Sequence, residues 1–303
     1  MLQYNILTIP IESYTIGKDD AGNDVVLGGK LIKINPYKPV IDGVYQVESA
    51  SPVLLNQFTP SFVNANGTFI KDGRYVLNTI NGFYSAQNNL MEYQGRGGTA
   101  FNALIWDYTS LFPVAEVTNA RQSDIAATSF EAEGSGNWII SSPVRDATAA
   151  VTGKQSYNLS NGDITRAFLA PGGVYIVSYW SQTGSKTIAG GVVSVSTKAG
   201  RKSGSWTYYE HVVTLSTVVN SGNGTVITIS GNGLIDELRL YIPTAQMTTY
   251  TYDPLIGMTS KCDPNNGIVY YEYDALKRLA LIRDQDGNII KKIDYKYQAN
   301  LNQ

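Results

Sequence analysis

The C-terminal part of the chain repeats itself, and this repeat is the feature that most constrains the fold. Tyr252-Asp253 recurs as Tyr273-Asp274 after 21 residues, and four other positions recur at the same spacing: Leu255 with Leu276, Met258 with Leu279, Asp263 with Asp284, and Ile268 with Ile289. Each unit holds an apolar strand, a turn rich in Asp, Asn and Gly, and a second strand. Such turns supply the positive φ that tight hairpins need. The sequence therefore predicts two β-hairpin units.

The repeat resembles the Rhs or YD-repeat proteins of bacteria, and residues 247–303 are predicted to form two YD repeats. The segment "YDALKRL" follows the family's Tyr-Asp-x-x-Gly-Arg-Leu pattern except that Lys277 replaces the Gly, whereas "YDPLIGMT" keeps Gly257 and lacks the Arg-Leu. The resemblance implies a β-sheet scaffold that belongs to a longer parent chain. Asp253 and Asp274 are interpreted as turn residues, since Asp commonly forms turns after a strand.

Residues 119–246 are predicted to form an antiparallel jelly-roll sandwich. Short alternating strands are separated there by Gly-rich turns such as "SGNGT" and "SGNGL", a pattern typical of sandwiches. In "GGVYIVSYW", Ile176 and Trp180 share one face while Tyr175 and Val177 share the other. In "SWTYYEHV" the alternation leads us to expect that at most one face of the strand points inward, to the core between the sheets.

The order of landmarks in this segment resembles the galactose-binding-like sandwich of many carbohydrate-binding modules. The resemblance implies two kinds of site. A structural calcium ion would lie between Glu131, near the first strand, and Asp236, in the last strand; carbonyl oxygens would supply the other ligands. A glycan would stack on exposed aromatic rings, for which the candidates are Trp138, Trp180, Trp206, Tyr208 and Tyr209. The alternative for these rings is the core between the two sheets.

Residues 1–118 are predicted to be a β-rich scaffold segment, a degenerate version of the C-terminal unit, so that the sandwich would be inserted between two stretches of one scaffold. The composition agrees with an all-β chain, because 21 Tyr and 29 Gly suit pleated surfaces and tight turns. The formal net charge of −2 gives no electrostatic footprint for nucleic acid or an anionic membrane. No apolar run reaches the length of a membrane-spanning helix.

Catalytic groups are scarce. The single Cys262 excludes an intramolecular disulfide, and the single His211 lies mid-strand without an obvious nucleophilic partner. Glu131 and Glu133 fit glycosidase chemistry only if a cleft separates two carboxylates. We therefore expect no catalytic residues and a non-enzymatic protein of the cell surface or the extracellular space, with a glycan or a surface protein as its partner. The alternatives are the shell of an Rhs-type polymorphic toxin and, third, an accessory fragment of a glycoside hydrolase.

Overall fold

The computed structural model describes residues 11–35, 37–218 and 225–296. The outermost parts of the predicted segments 1–118 and 247–303 lie outside the described residues. Within the described part the chain forms antiparallel strands, three single 3-10 turns (Leu55–Gln57, Gln122–Asp124 and Leu159–Asn161) and no α-helix. The prediction of an all-β chain with antiparallel sheets is confirmed. The chain divides into two compact units, Met1–Asn102 and Ala103–Gln303.

The first unit is a twisted antiparallel sheet over a small core. Its strands are β1 (Glu12–Lys18), β2 (Asp24–Ile34), β3 (Ile41–Val47), β4 (Val53–Leu54), β5 (Phe62–Val63), β6 (Phe69–Ile70), β7 (Tyr75–Tyr84) and β8 (Leu90–Gln94). The sheet order is β1-β2-β3-β7-β8; β4 pairs with β2, and β5 pairs only with β6 among the described strands. The core contains Val26, Leu31, Val53, Phe58 and Tyr75.

The second unit combines a sheet of hairpins with a sandwich. Its strands are β9 (Phe101–Asp107), β10 (Phe112–Thr118), β11 (Ala126–Thr128), β12 (Ile139–Ile140), β13 (Tyr157–Asn158), β14 (Ile164–Leu169), β15 (Val174–Ser181), β16 (Thr187–Gly190), β17 (Val192–Ser203), β18 (Trp206–Leu215), β19 (Thr225–Ser230), β20 (Leu234–Tyr241), β21 (Gln246–Asp253), β22 (Gly257–Cys262), β23 (Ile268–Tyr273), β24 (Leu279–Asp284) and β25 (Ile289–Lys292). We call β9, β10 and β21–β25 the hairpin sheet; these strands are neighbours in that order.

In the sequence, the sandwich is inserted between β10 and β21, two strands that are neighbours in the hairpin sheet. Strand β10 ends at Thr118, β21 begins at Gln246, and these two strands pair with each other in antiparallel register. The chain between them forms a six-stranded sheet, β11-β20-β15-β18-β17 with β13 on β20, and a four-stranded sheet, β12-β14-β19-β16. Side chains from both sheets meet in one core that includes Tyr175, Val177 and Ile227.

Hairpins in both units use the same type of turn, and the hydrogen bonds of this turn explain the Asp of the repeat. The side-chain oxygen of the first turn residue accepts the N–H groups two and four residues later; for Asp274 the donors are Leu276 at 2.8 Å and Arg278 at 3.0 Å. The same pair of hydrogen bonds occurs at Asp19, Asn64, Ser85, Asp263 and Asp284. Asp253 makes only the first of them. The interpretation of Asp253 and Asp274 as turn residues is confirmed.

The Tyr of the repeat fastens each hairpin to the strand before it. The Tyr252 hydroxyl donates to the carbonyl of Pro113 at 3.0 Å, and the Tyr273 hydroxyl donates to that of Met258 at 2.8 Å. Tyr295, one unit later, donates to the carbonyl of Leu279 at 3.0 Å. Since Met258 and Leu279 are equivalent positions of the repeat, the hydroxyl makes the same contact in successive units.

One turn carries a backbone conformation that its residue does not favour. The fourth turn residue has positive φ in all six complete turns, and it is Gly or Asn except at Lys277, where φ is 61°. A non-glycine residue in this conformation costs roughly 1–2 kcal/mol. Lys277 is thus a side chain with a Cβ atom at a position of positive φ, and it leaves strain in the turn.

We expect Lys277→Gly to stabilise the protein by about 0.5–1 kcal/mol. The relief of strain at positive φ is larger than the extra entropy that Gly gives the unfolded chain. The midpoint of urea unfolding measures the effect. Lys277→Ala is the matched control, because it removes the same charge and keeps the Cβ atom; equal midpoints for the two variants would contradict the explanation.

Candidate functional site

The rings predicted to bind sugar are almost all buried. Trp138 packs in the sandwich core. Trp180, Trp206 and Tyr208 project from the opposite side of the six-stranded sheet, which we call the outer face. There they pack against residues of the hairpin sheet and of a sandwich loop. Tyr209 is half-buried and contacts the sandwich core.

The outer face is closed because the hairpin sheet lies on it. Cys262 of β22 and Ile268 of β23, each 1 % exposed, cover the outer-face rings. As expected, only one face of β18 points into the sandwich, with His211 and Val213 buried there. The other face is also buried, because Trp206 and Tyr208 pack on the hairpin sheet. Four of the five candidate rings are thus used in packing, and Tyr209 keeps part of its surface exposed.

The two acids predicted to bind calcium lie beside the same loop, but they accept backbone N–H groups from it. The Glu131 carboxylate accepts the N–H groups of Lys154, at 2.7 Å, and of Gln155. The Asp236 carboxylate accepts those of Val151 at 2.8 Å and Thr152 at 2.9 Å. A calcium site would need carbonyl oxygens from such a loop. The described residues contain no group of three or more His, Cys, Asp or Glu side chains arranged for a metal ion.

Arg239 is the cation that the sequence analysis missed. Its guanidinium is fully buried, and its Nη2 atom donates to Glu237 at 3.2 Å and to the Thr249 hydroxyl at 2.6 Å. Its Nη1 atom donates to the carbonyl of Asp263 at 3.1 Å and to the Asn266 side chain at 3.2 Å. Because Arg239 and Glu237 belong to the last sandwich strand and the other three to β21 and the turn after β22, this network joins the sandwich to the hairpin sheet.

A β-bulge brings the acidic groups to the outer face. Ser178 pairs with Arg239, while Trp180 pairs with Asp236, so β20 holds one extra residue. Glu237 takes φ of 50° at this bulge. Two consecutive acidic side chains therefore point away from the sandwich core, and burial raises the pKa of Asp236 well above its usual range, with Glu237 adding to the effect. In "LIDELRLY" Glu237 and Arg239 alternate with leucines, which signals that these two charges share a face, but the adjacent Asp236 does not fit the alternation.

The two candidate nucleophilic groups are in unreactive states. Burial raises the pKa of the Cys262 thiol to about 12, so it is not a thiolate at neutral pH. His211 lies inside the sandwich, where its ring contacts the Tyr179 hydroxyl at 2.7 Å and the Thr197 hydroxyl at 2.9 Å. Neither partner is a carboxylate that would make the imidazole a general base.

A cleft of about 360 Å³ lies where the sandwich loops meet the hairpin sheet, lined among others by Tyr108, Glu131, Glu133, Lys154 and Asp253. Its carboxylates have internal partners. Glu131 and Glu133, considered above as a glycosidase pair, both bind backbone N–H groups, Glu133 that of Thr109. Lys154 Nζ lies 3.4 Å from the Asp253 carboxylate. These contacts fix the turns that form the cleft.

We expect stability to fall as the pH drops from about 6.5 to about 4 because of His211. Burial lowers the pKa of His211 in the folded protein to about 4 from its ordinary value of about 6.5. In this pH interval the unfolded chain binds a proton that the folded chain does not bind. The free energy of unfolding therefore falls by up to about 3 kcal/mol.

His211→Gln isolates this effect, because Gln can bond to the same two hydroxyls without titrating. Urea unfolding of both proteins at several pH values is the measurement. The carboxyl groups titrate in both proteins, and the difference between the curves belongs to His211. Parallel curves between pH 4 and 6.5 would show that the histidine does not contribute.

No helix in the described part of the chain is long and apolar enough to cross a membrane. In the comparisons with known proteins, no family model matches the chain, and none of the curated proteins matches it.

Proposed function

We propose that the chain is a non-enzymatic scaffold segment of a cell-surface or secreted bacterial YD-repeat protein, in which a galactose-binding-like jelly-roll sandwich is held on a sheet of repeat hairpins. Its role in this proposal is structural and adhesive. The observation that carries it is the closed outer face: the surface on which an independent binding module would keep its rings open is used here to attach the sandwich to the hairpin sheet.

The contacts between the outer face of the sandwich and the hairpin sheet, which we call the joint, include polar as well as apolar groups. This combination supports a rigid joint. Arg239 reaches the hairpin sheet through Thr249, Asn266 and a backbone carbonyl, and Tyr270 of β23 donates to the carbonyl of Val151 at 2.6 Å. Buried polar groups cost free energy whenever their partners leave. Any displacement that breaks these contacts while the groups stay buried would leave them unsatisfied, and complete opening would expose the aromatic rings to water.

The proposal predicts that the sandwich and the hairpin sheet unfold together. Ile227 lies in the sandwich core and Ile268 under the outer face. We expect Ile227→Val and Ile268→Val each to lower the temperature of one shared calorimetric transition. Each variant should lose roughly 0.5–1.5 kcal/mol of stability. Two separate transitions, one shifted by each variant, would contradict a rigid scaffold.

A glycan-binding experiment tests whether the rings of the outer face serve as a ligand platform. A glycan array probed with the full chain, with and without calcium, should show no retention that depends on Trp180, Trp206 or Tyr208, since these rings are covered. Specific binding that Trp206→Ala abolishes without loss of stability would return the sandwich to the class of carbohydrate-recognition modules. A rise in melting temperature on adding calcium that Asp236→Ala removes would establish the predicted metal site.

A further inference from the structure

Strand β17 is an open edge of the sandwich. It is the last strand of its sheet, with β18 on one side and no described strand on the other. It is 12 residues long, and all of its residues except the two terminal ones are exposed. An edge strand presents unpaired N–H and C=O groups that can pair with another chain.

The central stretch of β17 is regular enough to accept a further strand. Residues 194–199 pair with β18 without interruption, and the bulges of β17 lie outside them. Val195 remains 40 % exposed on one side of this stretch, and Val193, beside it, is 64 % exposed. Backbone pairing would supply affinity there, and the alternating side chains would supply selectivity.

The charge of β17 indicates which segment would fit. The strand carries Lys198, Arg201 and Lys202 and no acidic residue. Within the regular stretch the charge is that of Lys198, which has Glu210 of β18 opposite it on one side and the open edge on the other; Arg201, beyond the stretch, donates to Gln285. Opposite charges on facing positions of paired strands are favourable, and like charges are unfavourable. The edge is therefore complementary to an extended segment that carries carboxylates.

A second copy of the chain is a poorer fit. Pairing β17 with itself would join two basic strands with no acid between them. Six paired residues span about 20 Å of edge, which gives a few hundred Å² of contact, well short of the roughly 1,200 Å² that stable interfaces bury.

We propose that β17 is a docking edge for an extended acidic segment of a partner protein, which adds to the six-stranded sheet beside Ser194–Ala199. Valine or threonine side chains of the partner would face Val195 and Thr197, and a carboxylate would lie opposite Lys198. This inference does not depend on the scaffold role, because Arg201 and Ser203, which donate hydrogen bonds to Gln285 of the hairpin sheet, lie beyond Ser194–Ala199.

A pair of synthetic peptides tests the proposal on the full chain. One peptide alternates valine with glutamate, and its counterpart alternates valine with lysine. Ser196→Cys gives a labelling position for fluorescence, since Cys262 is buried. We expect the glutamate peptide to bind, to bind more weakly in high salt, and to slow hydrogen exchange of the amides of residues 194–199. The lysine peptide should not bind.

Charge reversal provides the decisive control. Lys198→Glu should weaken binding of the glutamate peptide about tenfold and should allow the lysine peptide to bind; a misfolded variant would bind neither. Failure of the glutamate peptide to bind at millimolar concentration, or binding that Lys198→Glu does not change, would overturn the proposal. Self-association through β17 in sedimentation experiments would also overturn it, in favour of a second copy. None of these outcomes bears on whether sandwich and hairpins unfold together.

Discussion

Arg239→Met is expected to destabilise the protein by about 3–5 kcal/mol. The substitution keeps most of the side-chain volume and removes the buried cation. It leaves the Glu237 side chain, which is 2 % exposed, without its ionic partner, and the two threonine hydroxyls that also contact Glu237 do not neutralise its charge. Removing one partner of a buried ion pair typically costs this much because an uncompensated charge stays in the interior.

An exposed ion pair of the hairpin sheet serves as the control. Arg283 lies 2.6 Å from Glu272, with side-chain exposures of 32 % and 47 %. Arg283→Met should cost less than about 1 kcal/mol, since exposed pairs contribute little. Urea unfolding of both variants measures the contrast. Similar losses in the two variants would show that the Arg239 network does not hold the sandwich on the hairpin sheet.

The double variant Arg239→Met/Glu237→Leu separates charge from packing. Replacing both members of a buried pair by apolar residues is often neutral or stabilising, so we expect it to recover part of the stability lost in the single variant. A double variant less stable than Arg239→Met would assign the loss to the hydrogen bonds with Thr249 and Asn266 rather than to the unpaired charge.

The local structure could be predicted from the sequence wherever a residue type strongly favours one backbone conformation or one kind of turn. Asp263 and Asp284, at equivalent positions of the repeat, close identical turns. The alternation in "GGVYIVSYW" assigned Tyr175 and Val177 to one face, and both lie in the sandwich core. These signals depend only on neighbours within a few positions along the chain, so a single sequence contains them.

The site could not be predicted because it depends on which strands meet. A period of two shows that Trp206 and Tyr208 share a face, but it does not show what covers that face. The cover comes from Cys262 and Ile268, more than 50 residues later in the chain. The bulge at Glu237 breaks the period itself, so the strand's alternation could not show that Asp236 and Glu237 face the hairpin sheet. Trp206 and Tyr208, candidates for either an exposed platform or the core between the sheets, instead lie between the sandwich and the hairpin sheet because of that long-range packing.

Trp206→Ala is expected to cost about 3–5 kcal/mol, because a large buried ring is removed and the cavity is only partly refilled. Trp206 is 5 % exposed and contacts the cluster under the outer face. The loss should appear in urea unfolding followed by far-ultraviolet circular dichroism, a signal that does not depend on the tryptophan itself. Leu276→Ala, at a position 66 % exposed in the same unit, should change stability by no more than about 0.5 kcal/mol.

The size of the Trp206→Ala effect also distinguishes the two roles that an aromatic residue on this strand can have. If the ring is a ligand platform, its removal changes the stability of the protein little and abolishes ligand binding. If the ring lies in the joint, its removal lowers the stability and leaves ligand binding unchanged. A loss near that of Leu276→Ala would mean that the hairpin sheet leaves the outer face in solution, and the rings would then be open to a ligand. A loss of several kcal/mol would place Trp206 in the joint, so that a partner surface of the sandwich would have to lie elsewhere than on these rings.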